Sequence, residues 1–273
     1  MHPVVQKLYS YRENSPEPVE SELEDDVFAE FIGIAETSLD DAMSGYDRQE
    51  WEDAIISEIR SILKNDTWDI VKRTNDQHVI GSRLVLTKKQ DTGEAAGRMK
   101  ARIVAKGYRQ RYGVEYQNTF APVARLESIR LLAALAVELD LKIHQLDITT
   151  AYLNGQLEEQ IFMEPSEMFK EMLSKLIRRE GKQSIIGKRA REMLSCFEAG
   201  GDVCLLKKSL YGLRQAGRQW NRRLDTVLRT IGLTPTTGEP CMYHTSREGA
   251  ILIVLIYVDD FRGISRSKMD REN

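Results

Sequence analysis

The sequence predicts an α+β fold in which an antiparallel sheet is backed by helices. Apolar residues recur at helical spacing in three segments, Trp51 to Leu63, Leu126 to Leu139 and Trp220 to Ile231. Short apolar or alternating runs bounded by turn residues lie between these segments and predict strands, some of them paired in hairpins. A hydrophobic fraction of 41% and a charged fraction of 30% over 273 residues are ordinary for a globular protein.

The chain is expected to divide into an acidic flexible arm, residues 1–44, and a folded part, residues 45–273. The arm has few periodic apolar positions, is rich in glutamate and contains Pro16 and Pro18. A segment of this composition buries too little apolar surface to offset the entropy of folding. Order is therefore expected to begin near Tyr46.

The folded part contains one segment of distinct composition. Residues 166–202 are rich in Met, Lys and Arg and are expected to be a helical insertion or a loosely ordered excursion. The first predicted helix, which contains Trp51 to Leu63, ends at Asn65-Asp66. The predicted strands are Trp68–Val71, Arg83–Lys88 and Met99–Ala105 around an Asp91-Thr92-Gly93 turn, Leu141–Ile148, Ile161–Met163, Val203–Leu206, Met242–Thr245 and Ile251–Val258.

The charge of the chain is unevenly distributed. The net charge is −3, yet basic residues cluster between Arg83 and Arg111 and again between Lys207 and Arg223. Two basic blocks in an acidic chain suit a local phosphate-binding surface. Solvated charged faces are the alternative for both blocks, and for the basic side chains of residues 166–202.

Neither a membrane span nor a secretory signal is predicted. The longest apolar run, Ile251 to Tyr257, has the length of a buried strand. The three cysteines form no C-x-x-C pair, which favours reduced thiols in an intracellular compartment, the cytoplasm or the nucleus.

Three aspartates indicate a metal site. Asp259-Asp260 directly follows an apolar strand, and Asp147 ends another. Adjacent carboxylates at the end of a buried strand repel each other, and divalent cations would compensate them. Two Mg²⁺ ions held this way stabilise the attacking and leaving oxygens in phosphoryl transfer. Taken singly, Asp259-Asp260 could be a hairpin turn and Asp147 a helix N-cap; together they favour the metal site.

Tyr152 follows Asp147 closely and could place its ring beside the sugar of an incoming nucleotide, where its bulk would disfavour a 2′-hydroxyl. A core aromatic residue is the alternative.

The chain resembles the reverse transcriptase domain of copia-type LTR retrotransposons from about Asp41 to Ile264. The resemblance rests on Asn65-Asp66-Thr67-Trp68, Lys100-Ala101-Arg102-Ile103-Val104-Ala105-Lys106-Gly107-Tyr108, Thr119-Phe120-Ala121-Pro122-Val123, Gln145-Leu146-Asp147-Ile148, Ala151-Tyr152-Leu153-Asn154-Gly155, Lys208-Ser209-Leu210-Tyr211-Gly212-Leu213-Arg214-Gln215-Ala216 and Tyr257-Val258-Asp259-Asp260.

This resemblance implies a right-hand polymerase with fingers and palm. It implies an RNA-directed DNA polymerase that uses two Mg²⁺ ions, with Mn²⁺ as a substitute, to transfer a nucleotide from a dNTP to a primer 3′-hydroxyl on an RNA or DNA template. The implied catalytic residues are Asp147, Asp259 and Asp260. The implied metal site adds Ile148 to these three. The implied nucleotide-binding residues are Lys100, Arg102, Tyr152 and Gln215, and the implied template and primer contacts are Gly212, Arg214 and Tyr257.

The sequence also departs from the family pattern. Gly217 stands where the family usually has proline, and residues 166–202 are longer than their counterpart. Because the chain stops at Asn273, the thumb is expected to be missing. A catalytically silent, truncated remnant that binds nucleic acid nonspecifically is therefore the alternative function. The oligomeric state is left open.

Overall fold

A computed structural model of the chain describes residues 36–89, 98–181, 183–245 and 251–266. The Asp91-Thr92-Gly93 turn and most of the predicted arm lie outside the described residues. The helices are α1 Leu39–Ser44, α2 Arg48–Asn65, α3 Leu126–Glu138, α4 Phe169–Arg179, α5 Ile185–Glu198 and α6 Ala216–Thr230. The strands are β1 Trp68–Val71, β2 Val79–Ile80, β3 Ser82–Lys89, β4 Arg98–Ala105, β5 Lys142–Asp147, β6 Gln156–Met163, β7 Val203–Lys208, β8 Leu233–Pro235, β9 Met242–Thr245, β10 Leu252–Tyr257 and β11 Asp260–Ser265.

A five-stranded antiparallel sheet in the order β5–β11–β10–β9–β8 carries the predicted aspartates. Successive residues of a strand point to opposite faces of the sheet, and β10 shows this with Leu255 and Ile256. Leu255 packs with Leu132 of α3, whereas Ile256 packs with Leu224 of α6. The two helices therefore cover opposite faces of this sheet.

A second sheet, in the order β1–β7–β6–β2, packs with helix α2 and forms the main core. Helix α2 buries Trp51, Ile55, Ile59 and Ile62, which recur at helical spacing. It ends where Asp66 adopts a left-handed conformation with φ 54° and its N–H caps the last turn. The predicted break at Asn65-Asp66 is thus confirmed.

The β3–β4 ribbon extends from this core. On β4, the buried residues Ala101, Ile103 and Ala105 alternate with the partly exposed residues Lys100 and Arg102. The buried face packs on α2, and the basic face is left toward solvent. The ribbon thus presents positive charge from a strand whose other side is fixed in the core.

The predicted mixture of helices and an antiparallel sheet is confirmed, with differences in detail. Helix α1 lies within the segment predicted to be the arm. Residues 166–202 form α4 and α5, and Phe169 and Leu176 of α4 belong to the main core. Strand β5 was predicted from its apolar residues, but all its residues are exposed because it forms an edge of its sheet. No helix among the described residues is long and apolar enough to cross a membrane.

Candidate active site

The turn between β10 and β11 contains the predicted aspartate pair. Val258 adopts φ 57° there, a conformation that strains a β-branched residue. Two hydrogen bonds hold the turn: the Trp220 indole Nε1 donates to the Val258 carbonyl over 2.8 Å, and the Ile148 N–H donates to the Asp259 carbonyl over 3.0 Å. The second bond ties the turn to the end of β5, where Asp147 lies.

The three aspartates meet at this corner of the sheet. Asp260 is the direct cross-strand partner of Asp147, so both side chains project from the same face. Asp147 and Asp259 line the same cleft. This corner therefore concentrates negative charge, and like charges placed opposite each other repel. Asp260 begins β11 directly after the turn that contains Asp259, so the pair is part of a hairpin turn, the interpretation that the sequence sets beside the metal site.

Carboxylate oxygens are the ligands that Mg²⁺ prefers, and the backbone brings them from two strands to one corner. Their side chains are not gathered around a common point, since no group of three or more His, Cys, Asp or Glu among the described residues is arranged to hold a metal. Ile148, the fourth predicted metal residue, lines the cleft beside Asp147. The donor set and its backbone placement fit the ion.

The cleft has a volume of about 520 Å³ and three walls of different chemistry. The end of β5 and the β10–β11 turn contribute Asp147 and Asp259, and β4 contributes Lys100 and Arg102. The third wall is one face of α2, composed of Ala54, Ser57, Glu58 and Ser61. The small side chains of this helix face leave the space between the acidic and the basic walls open.

Glu58 lines the cleft although it belongs to none of the motifs in the sequence. Its Oε1 accepts a hydrogen bond from the Ile103 N–H on β4 over 3.3 Å. Burial raises the pKa of Glu58, and the attraction of Arg102 and Lys100 opposes this shift only in part. The sequence carries one signal for this wall of the cleft, a face of α2 with small residues and one acid: Ala54, Ser57, Glu58 and Ser61. This face differs from the apolar face of the helix that packs in the core.

Tyr211 is a second cleft residue that was not predicted as part of the site. The Arg102 guanidinium lies over its ring, 4.7 Å from the centroid. The ring of Tyr152 meets it edge-on, with centroids 5.2 Å apart and an interplanar angle of 77°. Burial raises the pKa of Tyr152, and the negative charge of Asp259 adds to the shift. Tyr211 therefore contacts both Tyr152, predicted to lie beside the sugar, and Arg102, predicted to bind the phosphates.

Gln215, predicted to bind nucleotide, lies in a buried hydrogen-bond network. Its Nε2 donates to the Glu115 carbonyl over 2.7 Å, and its Oε1 accepts from Gln110 Nε2 over 3.0 Å. Glu115 also contacts His78 Nδ1 through its Oε1 at 2.7 Å. The Gln215 amide is thus engaged within the protein in this conformation, where it holds the segment from Gln110 to Glu115 in place.

The predicted template and primer contacts border the cleft region. Gly212 has φ +86°, and a Cβ there would overlap the Ala105 carbonyl oxygen, so only glycine fits. Arg214 is exposed, and its Nε donates to the Gly107 carbonyl over 3.1 Å. Tyr257, at the end of β10, is 48% exposed. All three residues are exposed, and Gly212 and Arg214 lie where the 211–215 loop meets the end of β4 and residue Gly107.

Comparison with known proteins gives the family. A profile of the family described as "Reverse transcriptase (RNA-dependent DNA polymerase)" matches residues 65–188 and 195–270. The chain is 33% identical over 85% of its length to the Retrovirus-related Pol polyprotein from transposon TNT 1-94 of Nicotiana tabacum, of which it covers 16%. It is 34% identical over 83% of its length to the corresponding polyprotein from transposon RE1 of Arabidopsis thaliana, of which it covers 14%.

A more distant relative is the Transposon Ty1-ER2 Gag-Pol polyprotein of Saccharomyces cerevisiae, 27% identical over 78% of the chain and covered to 10%. No solved structure matches the chain. The chain thus spans a small part of the length of its relatives. The profile match and the transposon relatives agree with the resemblance noted in its motifs, and the chain belongs to the reverse transcriptase (RNA-dependent DNA polymerase) family as a copia-type member.

Proposed function

We propose that the chain is an RNA-directed DNA polymerase that transfers nucleotides from dNTPs to a primer 3′-hydroxyl. The observation that carries the proposal is the cleft itself, in which Asp147 and Asp259 face Lys100 and Arg102. A wall of carboxylates opposite a wall of cations suits a substrate that carries both a metal-bound phosphate and free phosphate charge.

The acidic wall would hold the metal. Asp147 and Asp259 are the ligands favoured by their shared cleft, and Asp260 adds negative charge from the cross-strand position. When bound, Mg²⁺ would stabilise the attacking and leaving oxygens of the transfer. The hydrogen bonds to Val258 and Asp259 hold the turn beside the end of β5, where Asp147 lies.

The basic wall would bind the triphosphate. Lys100 and Arg102 project from the same face of β4, and their charges would offset those of the phosphates. Tyr152, half-buried and near Asp259, would contact the sugar and disfavour a 2′-hydroxyl. Gly212, Arg214 and Tyr257 would contact the template and primer, an RNA or DNA duplex held by its phosphates.

Primer extension on an RNA template with dNTPs and Mg²⁺ tests this proposal. Asp259→Asn is expected to abolish extension, because the substitution removes the charge of a metal ligand and retains its size. Asp140→Asn is the matched control. Asp140 is exposed just before β5 and has φ 48°, a conformation that asparagine tolerates.

Extension should persist in the control. Extension by Asp259→Asn at the wild-type rate would contradict the proposed site. A folded wild type that binds primer–template with strong salt dependence but does not extend it would instead support a silent nucleic-acid-binding remnant. The observation that favours this second function is that no group of three or more potential metal ligands is gathered among the described residues.

A further inference from the structure

Tyr211 lies at the centre of the contacts that join the basic and acidic walls of the cleft. It lines the cleft itself. Tyr211 is not among the metal-binding, nucleotide-binding or template-binding residues predicted from the sequence. It nevertheless contacts Arg102, predicted to bind phosphate, and Tyr152, predicted to contact the sugar. Its environment therefore defines a role that rests on the proposed polymerase function and adds to it.

The contact with Arg102 determines where that cation lies. The guanidinium is 4.7 Å from the centre of the Tyr211 ring, within the range of a cation–π interaction. Glu58, on the neighbouring wall, contributes its negative charge to the same group of residues. An arginine stacked on an aromatic ring loses less conformational entropy when it binds phosphate, because its side chain is already ordered.

The contact with Tyr152 is made by another part of the same ring. The edge-on geometry at 5.2 Å is a favourable arrangement for two aromatic rings. Tyr152 is followed by Leu153, which is fully buried, so its backbone is anchored in the core. The ring of Tyr152 packs against two apolar clusters of the core as well as against Tyr211, so Tyr211 is one of the contacts that set its position.

The backbone of Tyr211 is fixed to the basic strand. The Ala105 N–H donates to the Tyr211 carbonyl over 2.8 Å, and the close approach of Gly212 to Ala105 leaves no room for a side chain between the two segments. The Tyr211 ring is thus held at a defined place relative to β4, the strand that carries Arg102.

We propose that Tyr211 is a positioning residue that couples sugar discrimination to phosphate binding, by supporting Tyr152 and Arg102 with one ring. Removing the ring takes away one contact from Tyr152 and one from Arg102 at the same time. The apparent affinity for dNTPs and the preference for dNTPs over rNTPs then change together, although Tyr211 need not touch the nucleotide.

The test compares Tyr211→Leu with Tyr211→Phe in single-nucleotide extension with dCTP and with CTP, which share a base. Tyr211→Leu is expected to raise KM for dCTP by roughly threefold to tenfold and to lower the dCTP/CTP ratio of kcat/KM by a similar factor, as expected for the loss of one aromatic or cation–π contact at each partner. Its kcat for dCTP should change less. Tyr211→Phe retains the ring and loses only the hydroxyl with its hydrogen bond to Arg102, so it should stay closer to wild type than Tyr211→Leu in both values.

Tyr116→Leu is the matched control. Tyr116 has the same kind of environment outside the cleft, with the Arg214 guanidinium 5.5 Å from its ring centre and Tyr112 edge-on at 5.7 Å. Its loss should leave the dCTP/CTP ratio unchanged. A nucleotide-dependent rise in Tm with dCTP and with CTP provides the same comparison without turnover.

The coupling is overturned if Tyr211→Leu changes only one of the two values or neither, if Tyr211→Phe behaves like Tyr211→Leu, or if Tyr116→Leu changes the ratio equally. A wild type that neither extends primers nor binds dCTP would overturn the proposed function, and this inference with it. A wild type that does both, together with an unaltered Tyr211→Leu, would overturn this inference alone.

Discussion

The carboxyl group of Glu58 is buried on the α2 wall of the cleft, where its one hydrogen bond within the described residues comes from the Ile103 N–H. Its raised pKa means that desolvation outweighs both this hydrogen bond and the attraction of Arg102 and Lys100. Ionised Glu58 therefore destabilises the folded state. A carboxyl group retained at such a position in a cleft is a candidate for a functional role.

This gives a prediction for Glu58→Gln, which retains the acceptor for Ile103 but removes the charge. Because the pKa of Glu58 is raised in the folded state, the wild type loses stability as pH rises from the ordinary value of 4.5 through the folded value. The variant should have a higher free energy of unfolding than wild type at neutral pH, and the difference should vanish below the ordinary carboxyl pKa. Urea denaturation across this pH range measures it.

Glu52→Gln on the same helix is the control with the opposite sign. The hydrogen bond from Lys175 lowers the pKa of Glu52, with burial opposing this shift. Its stabilising contribution is present above the ordinary pKa and is lost as pH falls through the folded value. This variant should therefore be less stable than wild type at neutral pH. A Glu58→Gln variant that is destabilised in the same way would contradict the effect attributed to burial.

At the scale of elements, helices α4 and α5 support the cleft from behind. Lys175 of α4 contacts Glu52 of α2 at 2.8 Å, and Arg60 of α2 contacts Glu180 at 2.9 Å. Lys175 and Glu180 are thus both paired with charged side chains of α2. Because the opposite face of α2 forms a wall of the cleft, the packing of α4 helps to set the position of that wall.

Leu176→Ala tests this supporting role. Leu176 is fully buried in α4 within the main core, so its truncation should lower the free energy of unfolding by about 2–5 kcal/mol. Ile185→Ala on α5, where the side chain is 75% exposed, should change it by less than about 0.5 kcal/mol. Chemical denaturation measures both. Equal, small effects would indicate that α4 packs loosely on α2.

At the scale of the whole molecule, the edge strand β5 and the neighbouring helix α3 leave apolar side chains exposed. Ile143 and Leu146 on the edge strand β5 are 62% and 64% exposed, and Val137 of α3 is 83% exposed. An open strand edge with exposed apolar residues favours association between chains. We therefore expect the isolated chain to self-associate as its concentration rises.

Val137→Lys and Ile143→Lys together should reduce this association, because charge on an exposed edge disfavours pairing. Their effect on the free energy of unfolding should be small, since both side chains are largely exposed. Sedimentation velocity over a range of concentrations measures the association. An unchanged distribution of species, in a variant that remains folded, would place the contact elsewhere.

The elements that the sequence predicts well are those whose signal is local. The stripe of α2 and the alternation of β4 are examples, and Asp259-Asp260 is conspicuous because two charges follow an apolar strand. Contacts between distant segments carry no such signal. Tyr211 meets Arg102 and Tyr152 only in the folded chain, and Gln215 contacts Gln110, which is 105 residues away. The exposure of β5 depends on its place at the edge of the sheet, which its composition does not encode.

The hydrogen bond from Trp220 to the β10–β11 turn has a spectroscopic consequence. The chain has three tryptophans, and the indole Nε1 atoms of Trp51 and Trp68 are buried and have no hydrogen-bond partner in the described part of the chain. Only Trp220 is bonded to the backbone beside Asp259. A cation that reorganises the aspartate turn is therefore expected to change the fluorescence emission of Trp220, and a Mg²⁺ titration of the unlabelled protein measures this change.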